Sequence, residues 1–387
     1  MRSFISVLVR ELRRMVSRPI YLVMTIVIPL VVVLFFATFL NKGVPTQMPI
    51  AVIDFDNSSS SRQIVRTISS GQFCKVKYKL SSYEVAQARM QRGDIYAFVI
   101  IPRDFQEKVV NGNQPEVVFC TEYVHYLGGS LIMKELTTML NTMSAGVNLK
   151  LRLAKGEDQN RAMAQIQPIK TDIHIIGNPT LNYSYYLSSI IMPGIIFLMC
   201  LVCTIYVVGI EIKQGSSRRW LAMADKAIWK ALVGKLLPYT VLFSIMEILC
   251  RIILEKYLGF TIHGMTPLLY LGSVLTIVAY QALGIFIIGC LPTMRTALSI
   301  GAFYGTLGFT LAGFTHPTLA MLPAVRPYSL LYPLRQYYVI YSNVQINGLG
   351  MLDSWRPFVY LLMFNILPFF VLSRLKKAMV RLNYSRD

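Results

Sequence analysis

Ile20 to Leu40 contains no charged residue, and in helical form it is long enough to cross the roughly 30 Å hydrocarbon layer of a bilayer. Pro19 starts it. The run exceeds the apolar region of a secretory signal, about 7–15 residues, and no small-x-small cleavage site is evident, so it reads as a retained anchor. Five further apolar runs follow: Tyr185 to Ile210, Ala231 to Leu254, Pro267 to Leu291, Ala297 to Phe314, and a shorter one from Trp355 to Leu372. The fold class expected is an α-helical polytopic membrane protein with six transmembrane helices and an external α/β domain between the first and second spans.

Composition agrees. Of 387 residues, 54% are hydrophobic and 15% charged, with a mean hydropathy of +0.51, too apolar for a soluble chain of this size. The net charge of +19 does not point to nucleic acid, because the Lys and Arg flank apolar runs instead of gathering on one soluble face. Cys200, Cys203, Cys250 and Cys290 fall in apolar runs, where a thiol acts as a small apolar side chain. His125, His174, His263 and His316 are scattered, so no metal site is indicated.

Residues 1–18 form an amphipathic pattern, with Phe4, Leu8, Leu12 and Met15 on one side of a helix and Arg10, Arg13, Arg14 and Arg18 on the other. This pattern predicts an interfacial helix facing anionic cytoplasmic lipids. After the first span, residues 19–40, the segment 41–182 changes character to that of a soluble domain. Ile50 to Ile53, Val76 to Tyr78, Ile95 to Ile101 and Val117 to Phe119 read as strands, with helical patterns after the first three. Asp54, Asp56, Asn57 and Ser58 to Ser61 supply turn and capping chemistry at the first strand-to-helix junction. The spacing of Leu127, Leu131, Leu136, Met139, Leu140, Met143 and Val147 predicts a long amphipathic helix. With a sheet order of 2-1-3-4, Cys74 and Cys120 would lie on opposite edges, out of reach of a disulfide.

Orientation follows from charge. Cytoplasmic termini place Arg2, Arg10, Arg13, Arg14, Arg18, Lys213, Arg218, Arg219, Lys226, Lys230, Arg295, Arg374, Lys376, Lys377, Arg381 and Arg386 inside, whereas short outer connections hold far fewer basic residues. The five later spans then occupy residues 183–373, with a cytoplasmic segment at 211–230, an outer re-entrant segment at 315–350 and a basic cytoplasmic tail at 374–387.

No GxxxxGK[ST] loop, GxSxG or HExxH occurs, so the chain carries no recognisable nucleotide cradle or hydrolytic centre. Glu247 and Arg251 are the clear intramembrane charges and stand i,i+4 on one helix face, as a structural ion pair. In 211–230, Gly215 can end one helix and Ser216 or Ser217 can cap a second, after which Arg218, Arg219, Trp220, Leu221 and Met223 form a compact basic and apolar surface suited to a partner's groove. Gly301, Gly305 and Gly308 share nearly one face of the fifth span, permitting close helix contact.

The stretches IAVIDFDNSSSSRQIVRTI, GDIYAFVIIPRDF, NPTLNYSYYLSSIIMPGI and GFTHPTLAMLPAVRPYSLLYPLRQYY occur in an order that resembles the membrane subunit of an ABC-type exporter of the second exporter class. The likeness is to the branch with a large external domain between its first two spans. Glu211 matches the first acid of that family's Glu-Arg-Glu-x-Gly-Thr-x-Glu-x-Leu motif, and Gly215 and Ser216 match its Gly-Thr. Lys213 and Arg218 stand where the family usually has Glu. The resemblance implies two permease subunits, as a homodimer or heterodimer, and two cytoplasmic ATPase subunits docked at Glu211, Lys213, Gly215, Ser216, Arg218, Arg219, Trp220 and Leu221. It implies ATP and Mg on the ATPase with no cofactor on this chain. Gly301, Gly305 and Gly308 would lie at the subunit interface. The cargo would be an amphiphilic drug-like compound or lipid exported across a bacterial inner membrane, with a periplasmic adaptor and outer-membrane channel as further candidate partners. Two other readings compete: a membrane-anchored sensor or scaffold with a ligand-binding external domain, and a proton-coupled transporter using Glu247.

Overall fold

The computed structural model describes residues 2–41, 43–168, 178, 182–260 and 264–381. His174, His263, Arg386 and the side chain of Arg2 lie outside them, as do Pro179 to Leu181 of the quoted NPTL stretch. The chain divides into two units, Met1–Gly43 with Ile175–Asp387, and Val44–His174.

The first unit is helical. Helix α1, Arg2–Ser17, is followed after Arg18 by α2, Pro19–Phe39, which contains one π-turn at Val23–Val27. Beyond the second unit the chain continues as α8, Tyr183–Lys213, short α9, Ser217–Met223, α10, Ile228–Tyr257, and α11, Thr266–Cys290. Helices α12, Met294–Leu311, α13, Pro333–Tyr341, and α14, Met351–Arg381, complete it; α14 is interrupted at Asn365 and Ile366.

Five helices, α2, α8, α10, α11 and α14, are long and apolar enough to cross a membrane, so this is a multi-pass membrane protein. Six were expected. The missing one, α12, is a helix of 18 residues, but Arg295, three threonines and three glycines dilute its hydrophobicity. The expected outer re-entrant segment begins with 3-10 turns at Thr318–Ala320 and Arg326–Leu331. It then forms α13, which buries Leu334, Tyr337, Ile340 and Tyr341 in the helical core.

The N-terminal helix differs from its expected amphipathic pattern. Val7, Glu11 and Met15 are its buried positions, while Ile5, Val9, Leu12 and Val16 form an exposed apolar stripe. The helix therefore packs on protein through a line that includes an acid, and its second apolar line is left outward.

In the Val44–His174 unit, β1, Met48–Asp54, pairs in parallel with β2, Cys74–Leu80, and β3, Ala97–Ile101; β4, Val118–Thr121, pairs antiparallel with β3. The sheet order is β2-β1-β3-β4. Cys74 and Cys120 lie on its two opposite edge strands, and both are free thiols. Helices α3, Ser59–Ser69, α4, Tyr83–Gln91, and α5, Phe105–Val110, follow the first three strands, and the long α6, Tyr126–Ala154, and α7, Gln159–Ile166, follow the fourth. The first-junction acids serve turns and caps. Asp54 Oδ1 accepts the amides of Asp56 and Asn57, Asp56 Oδ2 accepts that of Gln106, and Ser58 caps α3 through the Ser61 amide. On α6, Glu135 accepts the backbone amides of Gln72, Phe73 and Cys74 at 2.6–3.1 Å, fixing the start of β2.

Candidate functional site

The site grows from the end of α8. Gly215, at φ +67°, adopts a left-handed turn that costs glycine little, and it reverses the chain into α9. Glu211 stands in the last turn before it and is fully buried. Arg10 Nη2 donates to Glu211 Oε2 at 3.0 Å, Arg10 Nη1 lies 3.0 Å from Oε1, and Arg14 also donates to this carboxylate. Lys235 Nζ, from the second turn of α10, donates to Oε1 at 2.9 Å, and the Ser216 hydroxyl donates to Oε2.

Lys235 extends the network. Its Nζ also reaches Glu11 Oε2 at 2.5 Å, and the Tyr239 hydroxyl donates to Glu11 Oε1 at 2.8 Å. The Lys235 ammonium sits 5.0 Å from the ring centre of buried Trp220, within cation–π range. Glu11, Glu211 and Lys235 thus meet out of water, and the partly exposed Arg10 and Arg14 close the cluster from its outer side. Each such ion costs several kcal/mol to bury unless it is paired and hydrogen-bonded, so the set holds together only as a set. Burial, the largest single influence, opposes charge on the Arg14 guanidinium, but Glu211 together with Tyr21, Glu11 and Tyr239 outweighs it and holds the pKa raised.

This geometry revises the expected docking surface. Trp220 and Leu221 are buried and face the protein, so they supply no partner surface. Ser216 does not cap α9, because its hydroxyl is committed to Glu211. The Ser217 hydroxyl donates to Met379 O and Arg218 Nε donates to Val380 O, both at 2.8 Å, so this corner of α9 binds the last carbonyls of α14. Lys213, Gly215, Arg218 and Arg219 remain exposed. The site's polar centre is therefore internal, and its outer face is basic.

Elsewhere, Glu247 and Arg251 form the expected pair at 3.6 Å, both buried. Tyr337 and Ser273 donate to Glu247 Oε1 at 3.1 and 3.2 Å, and Arg251 Nη2 donates to the Tyr337 hydroxyl at 2.8 Å. Gly301, Gly305 and Gly308 are buried, but against their own chain. A Cβ at Gly301 would strike Ile205, one at Gly305 would strike Leu198, and one at Gly308 would lie 3.3 Å from Tyr332. Gly301 and Gly305 thus pack on α8 and Gly308 lies beside Tyr332, so this glycine face is occupied by the chain's own residues. No group of three or more metal-ligating side chains occurs among the described residues.

Residues 19–374 match the ABC-2 family transporter protein profile, which is most of the chain. The chain belongs to the ABC-2 transporter family. Among curated relatives, it is similar to the inner membrane transport permease YhhJ of Escherichia coli K12. That match is 21% identical over 369 residues and covers 94% of this chain and 93% of YhhJ. It is also similar to the probable multidrug ABC transporter permease YbhS of the same organism, at 20% identity over 345 residues, covering 88% of this chain and 87% of YbhS. The ABC-2 permease fold thus accounts for nearly the full length. The network around Glu211 joins α1 to α8 and α10, about 200 positions further along the chain.

Sequence reasoning found Glu211 but missed Glu11 and Lys235. Glu11 is the lone acid among Arg10, Arg13 and Arg14 and shares a helix side with Val7 and Met15. Lys235 interrupts an apolar run, with Tyr239 four residues on. Each position carried a signal that its surroundings did not explain.

Proposed function

We propose that this chain is the membrane-spanning permease subunit of an ATP-driven exporter, energised by a separate cytoplasmic ATPase. The observation that carries the reading is the buried network fixing Glu211 to α1 and α10 directly behind the exposed basic corner of α9. A push on α9 from outside the bilayer is delivered through paired charges to α8 and α10, so a partner's closure can shift two spans together. The chain contributes gating and no bond-making chemistry; ATP and Mg belong to the partner.

In this reading α12 is a sixth span, its 18 residues giving about 27 Å of helix. Both termini and α9 then face the cytoplasm of a bacterial cell, in keeping with the concentration of Lys and Arg there, and the Val44–His174 unit lies outside. Exposed Lys213 and Arg218 stand where the family usually has Glu, and exposed Arg219 adds a further positive charge beside them, so the matching ATPase surface should carry acids. A second permease subunit would pack on the face of α12 opposite its glycines, where Ala302, Phe303 and Thr306 are exposed. The cargo would be an amphiphilic drug-like compound or lipid, the former in keeping with the similarity to YbhS, a probable multidrug permease.

Purification from native membranes under mild solubilisation tests the proposal. A separate ATPase should copurify and be lost on Arg219→Glu. Recovery of no ATPase, together with ligand binding by the second unit, would favour the anchored-sensor reading instead.

A further inference from the structure

Helix α1 and Met223 of α9 border an open groove of about 550 Å³ lined by Ile5, Ser6, Val9, Arg10, Arg13 and Met223. Its position relative to the bilayer follows from chain continuity. Only Arg18 separates α1 from α2, the first candidate span. In addition, α1 contacts Lys235 and Tyr239, which lie roughly 10 and 16 Å along α10 from its start at about 1.5 Å per residue. A helix joined to one candidate span by a single residue and tied to the first half of another runs beside their ends, where the headgroups of a bilayer would lie.

The groove's charge is uncompensated. In the neighbouring network three cations face two carboxylates, leaving an excess of one positive charge, and Arg10 belongs to both network and groove. Arg13 is exposed and makes no ion pair among the described residues. Asp225, in the loop after α9, is held by Lys230 at 3.6 Å. Arg10 and Arg13 are i,i+3 on the helix, with Cβ atoms about 5–6 Å apart, a spacing over which one phosphate can accept from both guanidiniums. Ile5, Val9 and Met223 supply an apolar wall, and Leu12 and Val16 continue the exposed stripe along α1 for an acyl chain.

We propose that this groove is a binding site for an anionic phospholipid, its headgroup phosphate between Arg10 and Arg13 and one acyl chain along Ile5, Val9 and Leu12. The site needs only that α1 lies on the membrane surface and is independent of which way the chain is oriented. A lipid seated there would brace α1, and through Glu11 and Arg10 the Glu211 network.

Native mass spectrometry of the full chain in detergent, titrated separately with phosphatidylglycerol, phosphatidylcholine and inorganic phosphate, tests it. Phosphatidylglycerol should bind in preference to both others. Arg13→Gln, which disturbs no internal contact, should weaken it about fivefold, the contribution of one basic residue at an anionic surface. Val9→Asn should also weaken it, whereas Arg103→Gln, an exposed arginine of the other unit, should change nothing. Equal binding of phosphatidylcholine, or Arg13→Gln binding like wild type, overturns the site. So does loss of ATPase copurification in Arg13→Gln with phosphatidylglycerol binding intact, because the groove would then belong to the protein partner.

Discussion

Replacing Lys235 by methionine removes one charge from the buried network while nearly preserving side-chain volume. Glu211 keeps Arg10 and Arg14, but Glu11 keeps only the Tyr239 hydroxyl. An ionised carboxylate is then buried without a cation, a change that typically costs about 3–5 kcal/mol. At roughly 2–4 °C per kcal/mol, that corresponds to a loss of about 6–20 °C in melting temperature. Heating in detergent followed by size-exclusion detection of the surviving fraction measures it. The double variant Glu11→Gln with Lys235→Met removes the stranded charge and leaves a neutral amide oxygen able to accept from Tyr239, so it should recover more than half of the loss. The coupling between the two positions should fall in the range of about 0.5–3 kcal/mol seen for contacting residues. The reasoning is refuted if Lys235→Met melts within a degree or two of wild type, or if the double variant is no better than the single one.

Three further outcomes are expected. Gly305→Leu should destabilise the helical unit by at least the roughly 1–3 kcal/mol of an overpacked core, because α8 presents Leu198 and Leu201 to that position; detergent melting reads the effect. Arg218→Ala removes the donor to Val380 O, so limited trypsin digestion should cut faster at Arg374, Lys376 and Lys377 than in wild type. Burial and then neighbouring Glu135 push the Cys74 thiol above its ordinary pKa, so its thiolate stays scarce through neutral and mildly alkaline pH. Maleimide labelling near pH 8, read by peptide mass spectrometry, should therefore mark half-buried Cys120 first and reach Cys74 only on unfolding.

Much of this architecture is written in local periodicity. The uncharged stretch from Ile20 and the strand-and-helix alternation after Met48 need no information from far along the chain, and both appear as expected. The α12 segment shows where local reading weakens, since residues that let a helix pack closely, such as Gly301 and Gly305, are also those that make it look less like a span. The site was legible only in part. Glu211 stood out through a motif, but Lys235 and Glu11 are 224 positions apart, and no local pattern links them. Trp220 illustrates the opposite error: beside Arg218 and Arg219 it resembles an exposed anchor, yet α9 turns it inward over Lys235 while the arginines remain outside. Composition gave the character of that helix, and only the packing of α1 and α10 decides which of its faces is available.

The central claim is that the basic corner of α9 is where an ATPase presses on this ABC-2 permease. A photocrosslinking residue placed at Arg219 in native membranes tests it most directly. The expected product is a covalent adduct with a nucleotide-binding ATPase subunit, whose yield changes when ATP is added. An adduct with lipid alone, together with ATPase adducts arising only from positions in the Val44–His174 unit, would contradict it.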